Sequence, residues 1–377
     1  MSRLRAAATS GVTLASGLSL AVVPAATLSI AGALFDVDDQ GVIAVVIMVA
    51  TFGGQLLVGG VVEARLASIS PTRRVVFPRW LGLAGIAAAI AVAAAPPNVV
   101  LIAVALPLML AALEVARAVS ISERLDGREW IAAGAVGAGA VIGVVAGLLG
   151  STWALTPLAL GVAIATAVRL APVPYAATSA DVRTRSWILA DTGVSGIIYP
   201  LMNAVVLASL GPAQSVQFTA IATVSGALAI PLNFLRARLL KEHSRLDIVL
   251  TSLAVTAAAG VILLADLAGL FGLLFGDAWR GEALIAALAV ACLWRAASLA
   301  TTIPFAALRR SGAVALVTAL RAAVSILTLV FAVGGVAVGT VLAVFAALLV
   351  AECVSAGVYG LAWRRIDGRA RTARELP

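Results

Sequence analysis

The sequence predicts an all-α polytopic membrane protein with twelve transmembrane helices in two six-helix lobes. The first observation is composition, because 62% of the residues are hydrophobic and only 12% are charged, against about 25% charged in soluble domains. The second is spacing, since apolar residues gather in runs of roughly 20, the length that crosses about 30 Å of hydrocarbon. The third is that the polar connectors between runs are mostly short, which leaves no segment for a separate soluble core.

Twelve apolar runs follow one another along the chain. The first begins with basic residues like a signal peptide, but its apolar part is too long for one and further spans follow it. An acidic loop at residues 35–40 separates it from the second. The predicted spans are Thr9–Leu34, Gly41–Val62, Trp80–Ala95, Val99–Ile121, Trp130–Leu149, Trp153–Leu170, Trp187–Leu210, Val216–Leu235, Asp247–Phe271, Glu282–Leu308, Ala313–Val333 and Thr340–Trp363.

The longest polar segment divides the chain into halves. We predict an N-terminal lobe at residues 1–170, a cytoplasmic linker at 171–186 and a C-terminal lobe with a basic tail at 187–377. Because each lobe has an even number of spans, both enter the membrane in the same direction, as in a parallel repeat about a pseudo-two-fold axis. A mid-span proline in the first helix of each half, Pro24 and Pro200, is consistent with such a repeat.

The net charge of +8 is distributed as an orientation signal. Lys and Arg cluster at the ends of the even-numbered spans, whereas the loops on the other side are acidic. By the positive-inside rule, both termini of this multi-pass cell-membrane protein are cytoplasmic. Membrane orientation therefore explains the excess of Lys and Arg, and we predict no nucleic-acid partner.

Arg295 stands at the middle of the apolar stretch Glu282–Leu308 and is the first candidate binding residue. An arginine at that depth costs about 2.5–3.5 kcal/mol on insertion scales, so we expect it to face a bundle interior or a wet cavity. One interpretation is a salt bridge to a neighbouring helix without a ligand. The other, which we favour, is a cation for an anionic substrate head group, because the guanidinium fork matches phosphate geometry.

Two further sets of charges lie inside spans. Glu352, midway along the last span, is either the partner of Arg295 or a carboxylate that takes up protons, and the sequence leaves both interpretations open. Glu114 and Arg117 stand three residues apart on the fourth span, where we predict an intrahelical ion pair; a role at a cavity rim is the alternative.

Four more polar residues inside spans are candidates for substrate binding. Asp191, near the start of the seventh span, also fits a helix-dipole partner. Arg321 either lines a cavity or snorkels to the interface. Asn203 and Gln55 either contact a substrate or hydrogen-bond a neighbouring helix, which is the commoner role of uncharged polar residues in spans.

No pattern in the sequence predicts an enzyme, a cofactor or a metal site. The single histidine, His243, falls in a basic loop, so a catalytic Ser-His-Asp arrangement in the bundle is excluded. There is no phosphate-binding G-x-x-x-x-G-K-[ST] loop. Gly139, Gly143 and Gly147 recur every four residues and predict a small face for close helix packing.

Two transporter groups share an arrangement of twelve spans in two halves. The major facilitator superfamily is marked by G-x-x-x-D-R-x-G-R-[RK] between its second and third spans, but here that loop, VVEARLASISPTRR, lacks the central Asp-Arg and the glycines. The stretch GLLFGDAWRGEALIAALAVACLWRAASLATTIPFAALRRSG resembles the multidrug/oligosaccharidyl-lipid/polysaccharide exporter superfamily, whose O-antigen flippase branch carries L-F-G-x-x-W, an apolar span, then a basic residue and glycine. FDVDDQGVIAVVIMVATFGGQLLVGG resembles that branch's first loop and glycine-rich second span.

The resemblance implies a V-shaped pair of lobes around a central cavity that opens alternately to each side. It also implies flipping of an undecaprenyl-pyrophosphate-linked oligosaccharide for polysaccharide export, with membrane lipid and glycan-assembly enzymes as further partners. Depth and charge would then place Arg295 on the pyrophosphate, assisted by Arg321. The alternative is a proton- or sodium-coupled small-molecule or drug exporter with Glu352 or Asp191 as the proton carrier. A third hypothesis is a membrane assembly partner without transport activity.

Overall fold

The computed structural model describes residues 2–66, 78–123, 125–170, 182–239, 244–279, 281, 283–311 and 314–375, and all regular structure within them is helical. The loop 67–77, most of the predicted linker and the loop with His243 lie outside these ranges. The helices are α1 (Ser2–Leu34), α2 (Val37–Val58), α3 (Ala64–Leu66), α4 (Arg79–Ala94), α5 (Val99–Ser122), α6 (Asp126–Leu148), α7 (Leu155–Leu170), α8 (Val182–Gly196), α9 (Ile198–Leu210), α10 (Pro212–Gly226), α11 (Ala229–Leu239), α12 (Arg245–Leu267), α13 (Leu270–Phe275), α14 (Ala283–Arg310), α15 (Val314–Ala337) and α16 (Val341–Glu375).

The helices of the described ranges account for each of the twelve predicted spans. Nine spans are long and apolar enough to cross a membrane, and the bent pair of α10 and α11 makes a tenth. The other two, α4 and α7, have 16 residues each, or about 24 Å at 1.5 Å per residue. Both are therefore shorter than the hydrocarbon thickness of about 30 Å.

Three predicted spans are divided between two helices. The seventh passes from α8 to α9 at Ile197 and still forms one apolar span, Arg185–Leu210. Residues predicted as one eighth span form α10 and α11, bent by 47°, because Pro231 has no N–H to bond the carbonyl of Ala227. The predicted ninth span ends at Leu267 rather than Phe271, because a turn follows in which Gly269 has a φ of 77°, a conformation that glycine adopts without strain.

The acidic loop at residues 35–40 is shorter than predicted, and most of it is helical. Asp36 caps α2, since its side chain accepts a hydrogen bond from the backbone N–H of Asp39 at 2.9 Å. Asp38 and Asp39 fall in the first turn of the helix, where negative charge is favourable. At its other end α2 continues through a π-helical segment, Gly59–Glu63, into α3.

By its internal contacts the chain divides into two units. Unit 1 contains Met1–Thr223 and Gly272–Ala278, and unit 2 contains Val224–Phe271 and Trp279–Pro377. In unit 1, α1 packs on α6, α6 on α7, and α5 on α2 and α4. In unit 2, α16 packs on α14 and α15, and α14 on α11 and α12.

The predicted small face of α6 is confirmed at Gly139 and Gly143, which pack closely on α7, whereas a Cβ on Gly147 would make only ordinary contacts at 3.5 Å or more. A Cβ added to Gly139 would collide with the carbonyl oxygen of Pro157, and one added to Gly143 would lie 2.7 Å from that of Ala154. Across the interface, a Cβ on Gly161 would lie 2.6 Å from the carbonyl oxygen of Ala135. Glycine at these positions lets the two backbones approach each other, as small residues do in membrane helix pairs.

The L-F-G-x-x-W run forms a short helix and a 3₁₀ turn, Gly276–Trp279. In unit 1, Ser29 on α1 donates a hydrogen bond to the carbonyl of Leu274 at 2.6 Å. In unit 2, the indole Nε1 of Trp279 donates to Asp266 Oδ1 at 2.7 Å. The tryptophan of this run therefore has a structural role at the end of α12.

Candidate functional site

Two charges near the middle of adjacent helices form the candidate site. Arg295 is the thirteenth of the 28 residues of α14, and Glu352 is the twelfth of the 26 residues of the apolar span Val341–Ile366 in α16. The two helices pack along each other within unit 2. The sequence placed both charges at mid-span, and the structure adds that they belong to one helix pair.

A hydroxyl and an arginine both interact with the Glu352 carboxylate. Thr301 on α14 donates a hydrogen bond from Oγ1 to Glu352 Oε1 at 2.6 Å. The half-buried Arg295 guanidinium lies close enough for electrostatic attraction to the same carboxylate. Its Cζ also lies 4.1 Å from the ring centroid of Trp294, a cation–π contact worth about 0.5–2 kcal/mol. A cation, a carboxylate and a hydroxyl therefore share one interface.

Trp294 restricts the position of the Arg295 guanidinium, which lies over its ring. Its side chain is 4% exposed, and its ring centroid lies 6.1 Å from that of Phe345 on α16. Because the ring is held between the helices, the guanidinium lying over it has a restricted range of positions. This restriction is what a binding residue needs if it is to meet a ligand in one geometry.

Arg321 lies on the inner stripe of α15. Val317 and Ser325, one turn before and one turn after it, are 0% and 9% exposed, and side chains four residues apart share a helix face. Val317 packs in an apolar cluster with Phe305 and Tyr359. Arg321 itself is half-buried, so its stem runs along the packed side of the helix.

Asp191 and Gln55 lie on two helices of unit 1 that cross closely. Gly59 of the π-helical segment lies close to α8, because a Cβ added to Gly59 would be 3.1 Å from the Oγ1 of Thr192. Thr192 follows the half-buried Asp191 in the sequence. On the other helix, a Cβ on Gly196 would lie 3.5 Å from Oε1 of the exposed Gln55. The structure therefore brings these two predicted residues to one helix crossing.

Asn203 forms part of a fully buried hydrogen-bond network. Its Nδ2 donates to Thr219 Oγ1 at 2.7 Å, and its Oδ1 accepts from Ser215 Oγ at 3.0 Å. Thr219 in turn donates to the carbonyl of Ala44 on α2 at 3.5 Å. This is the interhelical role that the sequence left open, and we therefore leave Asn203 out of the proposed binding site.

A second polar cluster in unit 1 was not predicted from the sequence. Arg169 on α7 forms a bidentate ion pair with Glu129 on α6, with Nε–Oε1 and Nη2–Oε2 distances of 2.9 and 2.8 Å. Both side chains are 1% exposed. Ser16 on α1 donates to Glu129 Oε2 at 2.6 Å and accepts from Arg117 Nε at 2.8 Å. The cluster ties four helices together.

The predicted ion pair between Glu114 and Arg117 is wrong. No side-chain nitrogen of Arg117 lies within 4.0 Å of a Glu114 carboxylate oxygen. The hydrogen bond that Arg117 donates to Ser16 directs its guanidinium toward Glu129 instead. One weak signal of this cluster is present in the sequence, because Arg169 stands between Val168 and Leu170 inside an apolar run. Charged residues near the ends of spans usually lie at the membrane interface. The position of Arg169 therefore did not distinguish a buried ion pair from an interfacial charge.

Within the described ranges, no group of three or more His, Cys, Asp or Glu side chains could hold a metal ion.

No protein-family model and no curated protein sequence matches the chain. Solved structures do match its fold. A multidrug resistance MATE family transporter of the MOP superfamily, in an inward-facing conformation, superposes with a TM-score of 0.54 at 14% identity over 96% of each chain. The fold is that of the MATE transporters.

A second MATE structure, in a bent conformation, gives a TM-score of 0.50 at 14% identity over 96% of this chain and 95% of that chain. The likeness confirms the predicted fold class, an all-α membrane protein with twelve helices in two lobes. At 14% identity the likeness concerns the fold and does not extend to a substrate.

Proposed function

We propose that this chain is an ion-coupled exporter of small molecules in the cell membrane, working by alternating access with both termini cytoplasmic. The observation that carries the proposal is the likeness to an inward-facing multidrug resistance transporter along 96% of both chains. A fold shared over that length includes every predicted span, so the proposal does not depend on a local motif.

The pair of Arg295 and Glu352 gives the proposed exporter a charge-coupled site. While Glu352 is ionised, it attracts Arg295 and competes with an anionic group of a substrate. A proton on Glu352 removes that competition, and the guanidinium is then available to the substrate. Asp191 is the second candidate proton carrier, and Gln55 at the same helix crossing is a candidate contact for the substrate.

A second candidate function, favoured by the arginines, is flipping of a lipid-linked oligosaccharide. Arg295 and Arg321 both lie on packed sides of helices in unit 2, and a guanidinium binds phosphate through a bidentate fork. The L-F-G-x-x-W run of the polysaccharide flippase branch is also present. In this case the partners would be an undecaprenyl-pyrophosphate-linked saccharide, membrane lipid and glycan-assembly enzymes, and residues 1–170 and 187–377 would be the moving halves.

Reconstituted vesicles distinguish the two functions. For an exporter, an imposed pH or sodium gradient drives efflux of a fluorescent anionic dye in vesicles with the protein and not in protein-free vesicles. For a flippase, a fluorescent undecaprenyl-pyrophosphate saccharide becomes accessible to a membrane-impermeant quencher on the opposite leaflet. Activity in neither assay would favour the assembly-partner hypothesis.

Arg295→Ala tests the site in whichever assay is positive. We expect transport to be lost while membrane insertion is unchanged, because the charge at mid-span is removed without changing the apolar run around it. Arg295→Lys keeps the charge and loses the fork, so it should retain more activity if charge alone matters. Unchanged transport by Arg295→Ala would refute the role that we assign to this residue.

A further inference from the structure

A buried carboxylate in unit 1 takes no part in the interactions described so far. Glu114 on α5 is 7% exposed. Among the described residues, none donates a hydrogen bond to its oxygens and no cation lies within 4.0 Å of them. Buried polar groups of proteins almost always have a partner, so a glutamate that is this buried without a bound cation requires an explanation. Its oxygens are not among the fully buried polar atoms that lack a partner, so they keep a small accessible surface through which a proton can arrive.

The carboxylate lies directly against the backbone of α2. A Cβ added to Gly54 would stand 2.5 Å from Glu114 Oε2 and 2.6 Å from its carboxyl carbon. Glycine is therefore required at this position while the carboxylate occupies it. The adjacent Gly53 has no atom within 4 Å of an added Cβ, whereas the three atoms nearest to one on Gly54 all belong to the Glu114 carboxyl group.

Arg117, the cation that acts on Glu114, is hydrogen-bonded to Ser16 rather than to the Glu114 carboxylate. Arg117, one turn along α5, attracts Glu114 electrostatically, but its Nε is bound to Ser16, which is bound to the Glu129–Arg169 pair. The surfaces of α2 and α4 that face this part of α5 contribute uncharged residues such as Gly54 and Leu81. Arg117 is therefore the only charge of the described residues that acts directly on Glu114.

A proton fits the site better than a metal cation does. An ionised carboxylate that is buried without a bound partner costs several kcal/mol, and protonation removes that cost. A bound metal cation would need several oxygen ligands, as hard cations do, whereas the described part of the chain has no group of three or more His, Cys, Asp or Glu side chains that could hold one, and Arg117 would repel the ion.

We propose that Glu114 is a proton-binding site of this transporter, kept free of an ion pair because Ser16 and Glu129 hold the Arg117 guanidinium. This inference rests on the proposed function as an ion-coupled exporter. The step is balanced, since one proton adds to the carboxylate to give the neutral acid and leaves again when the carboxylate reionises. The Glu129–Arg169 pair stays intact throughout and keeps Arg117 in place.

Infrared difference spectroscopy on the purified protein in proteoliposomes tests the proposal directly. A pH titration should show the carbonyl band of a protonated carboxyl group, shifted in D₂O, that disappears as the group ionises. We expect Glu114→Gln to lose one such band, and this band should persist in Glu352→Gln, which removes the other proposed proton-binding glutamate. The same band in Glu114→Gln, with unchanged intensity and midpoint, would overturn the proposal, as would a band that responds to sodium instead of pH.

Two adjacent glycines provide a matched pair if Glu114→Gln fails to fold. Gly54→Ala forces the carboxyl group away from α2, so the midpoint of the band should shift by at least one pH unit. Gly53→Ala adds the same methyl group into open space and should leave the titration unchanged. Identical titrations of the two alanine variants and the wild type would refute the assignment to Glu114.

Dye efflux separates this inference from the proposed function. If the wild-type protein exports dye on a pH gradient, Glu114→Gln should lose that efflux at least tenfold while the folded yield is retained. If the wild-type protein transports nothing but the band still depends on Glu114, the proton site stands and the exporter function falls. Full gradient-driven efflux by Glu114→Gln would instead refute the coupling role of this residue.

Discussion

Arg169 and Glu129 each have a side chain that is only 1% exposed, and they form the bidentate pair at the centre of the polar cluster in unit 1. Two further side chains extend the hydrogen bonding of the pair: Ser16 donates to the Glu129 carboxylate, and Arg117 donates to Ser16. Burying two charges is costly, and good geometry with additional hydrogen bonds offsets that cost. Removing one member should therefore be far more destabilising than removing an exposed charge.

Arg169→Ala leaves the Glu129 carboxylate buried without its counter-ion. We expect the free energy of unfolding in detergent to fall by about 3–5 kcal/mol, measured by denaturant or thermal unfolding. The double variant Arg169→Leu, Glu129→Leu should recover part of the loss, because both charges are then absent. Arg79→Ala, at the exposed start of α4, is the control and should change stability by less than about 0.5 kcal/mol; an equal effect of the two single variants would contradict the assigned role of the buried pair.

Asn203→Ala distinguishes a structural role from substrate binding. The variant removes the partner of Ser215 and Thr219, so the free energy of unfolding should fall by about 0.6–1.7 kcal/mol, the range of interhelical hydrogen bonds in membranes. Transport per folded molecule should be unchanged. A selective rise in the half-saturating substrate concentration, with normal stability, would restore Asn203 to the binding site.

At the scale of the element, the closest packing is that of α6 on α7. Gly139→Ala adds a methyl group that collides with the Pro157 carbonyl oxygen, so the helices must separate and lose contacts on both sides. We expect a loss of about 1–3 kcal/mol in the free energy of unfolding, as for other overpacked sites. Thermal unfolding of the purified protein measures it.

Gly137 on the same helix provides the control. An added Cβ there meets nothing within 4 Å, and alanine is the better helix former by about 0.5–1 kcal/mol. Gly137→Ala should therefore be neutral or slightly stabilising. If both alanine variants behaved alike, close packing at Gly139 would not be the reason for its glycine.

At the scale of the whole molecule, the distribution of basic residues predicts the orientation. Single cysteines in a variant without Cys292 and Cys353 test it with a membrane-impermeant maleimide on intact spheroplasts. Thr152→Cys, in the exposed turn before α7, should be labelled from outside, whereas Ser311→Cys, in the exposed turn after α14, should react only after permeabilisation. The reverse pattern would overturn the positive-inside assignment.

The elements of the fold were predictable because they depend on local sequence. A run of about 20 apolar residues favours a membrane helix whatever its neighbours are, so every predicted span has a helical counterpart. The small face of α6 followed from glycines at a spacing of four. Interruptions were less predictable: Pro231 marked the bend between α10 and α11, but a proline inside α14, Pro304, leaves that helix continuous.

The sequence by itself determined the order of the spans, the class of fold and the mid-span position of Arg295 and Glu352, because hydropathy and spacing are read along the chain. Only the tertiary structure decided which charges meet. Ser16 and Glu129 are 113 positions apart, and Arg117 turned toward them rather than toward Glu114 three residues away. Side chains choose partners by helix packing in three dimensions, and that packing left one carboxylate, against Gly54, without a counter-ion.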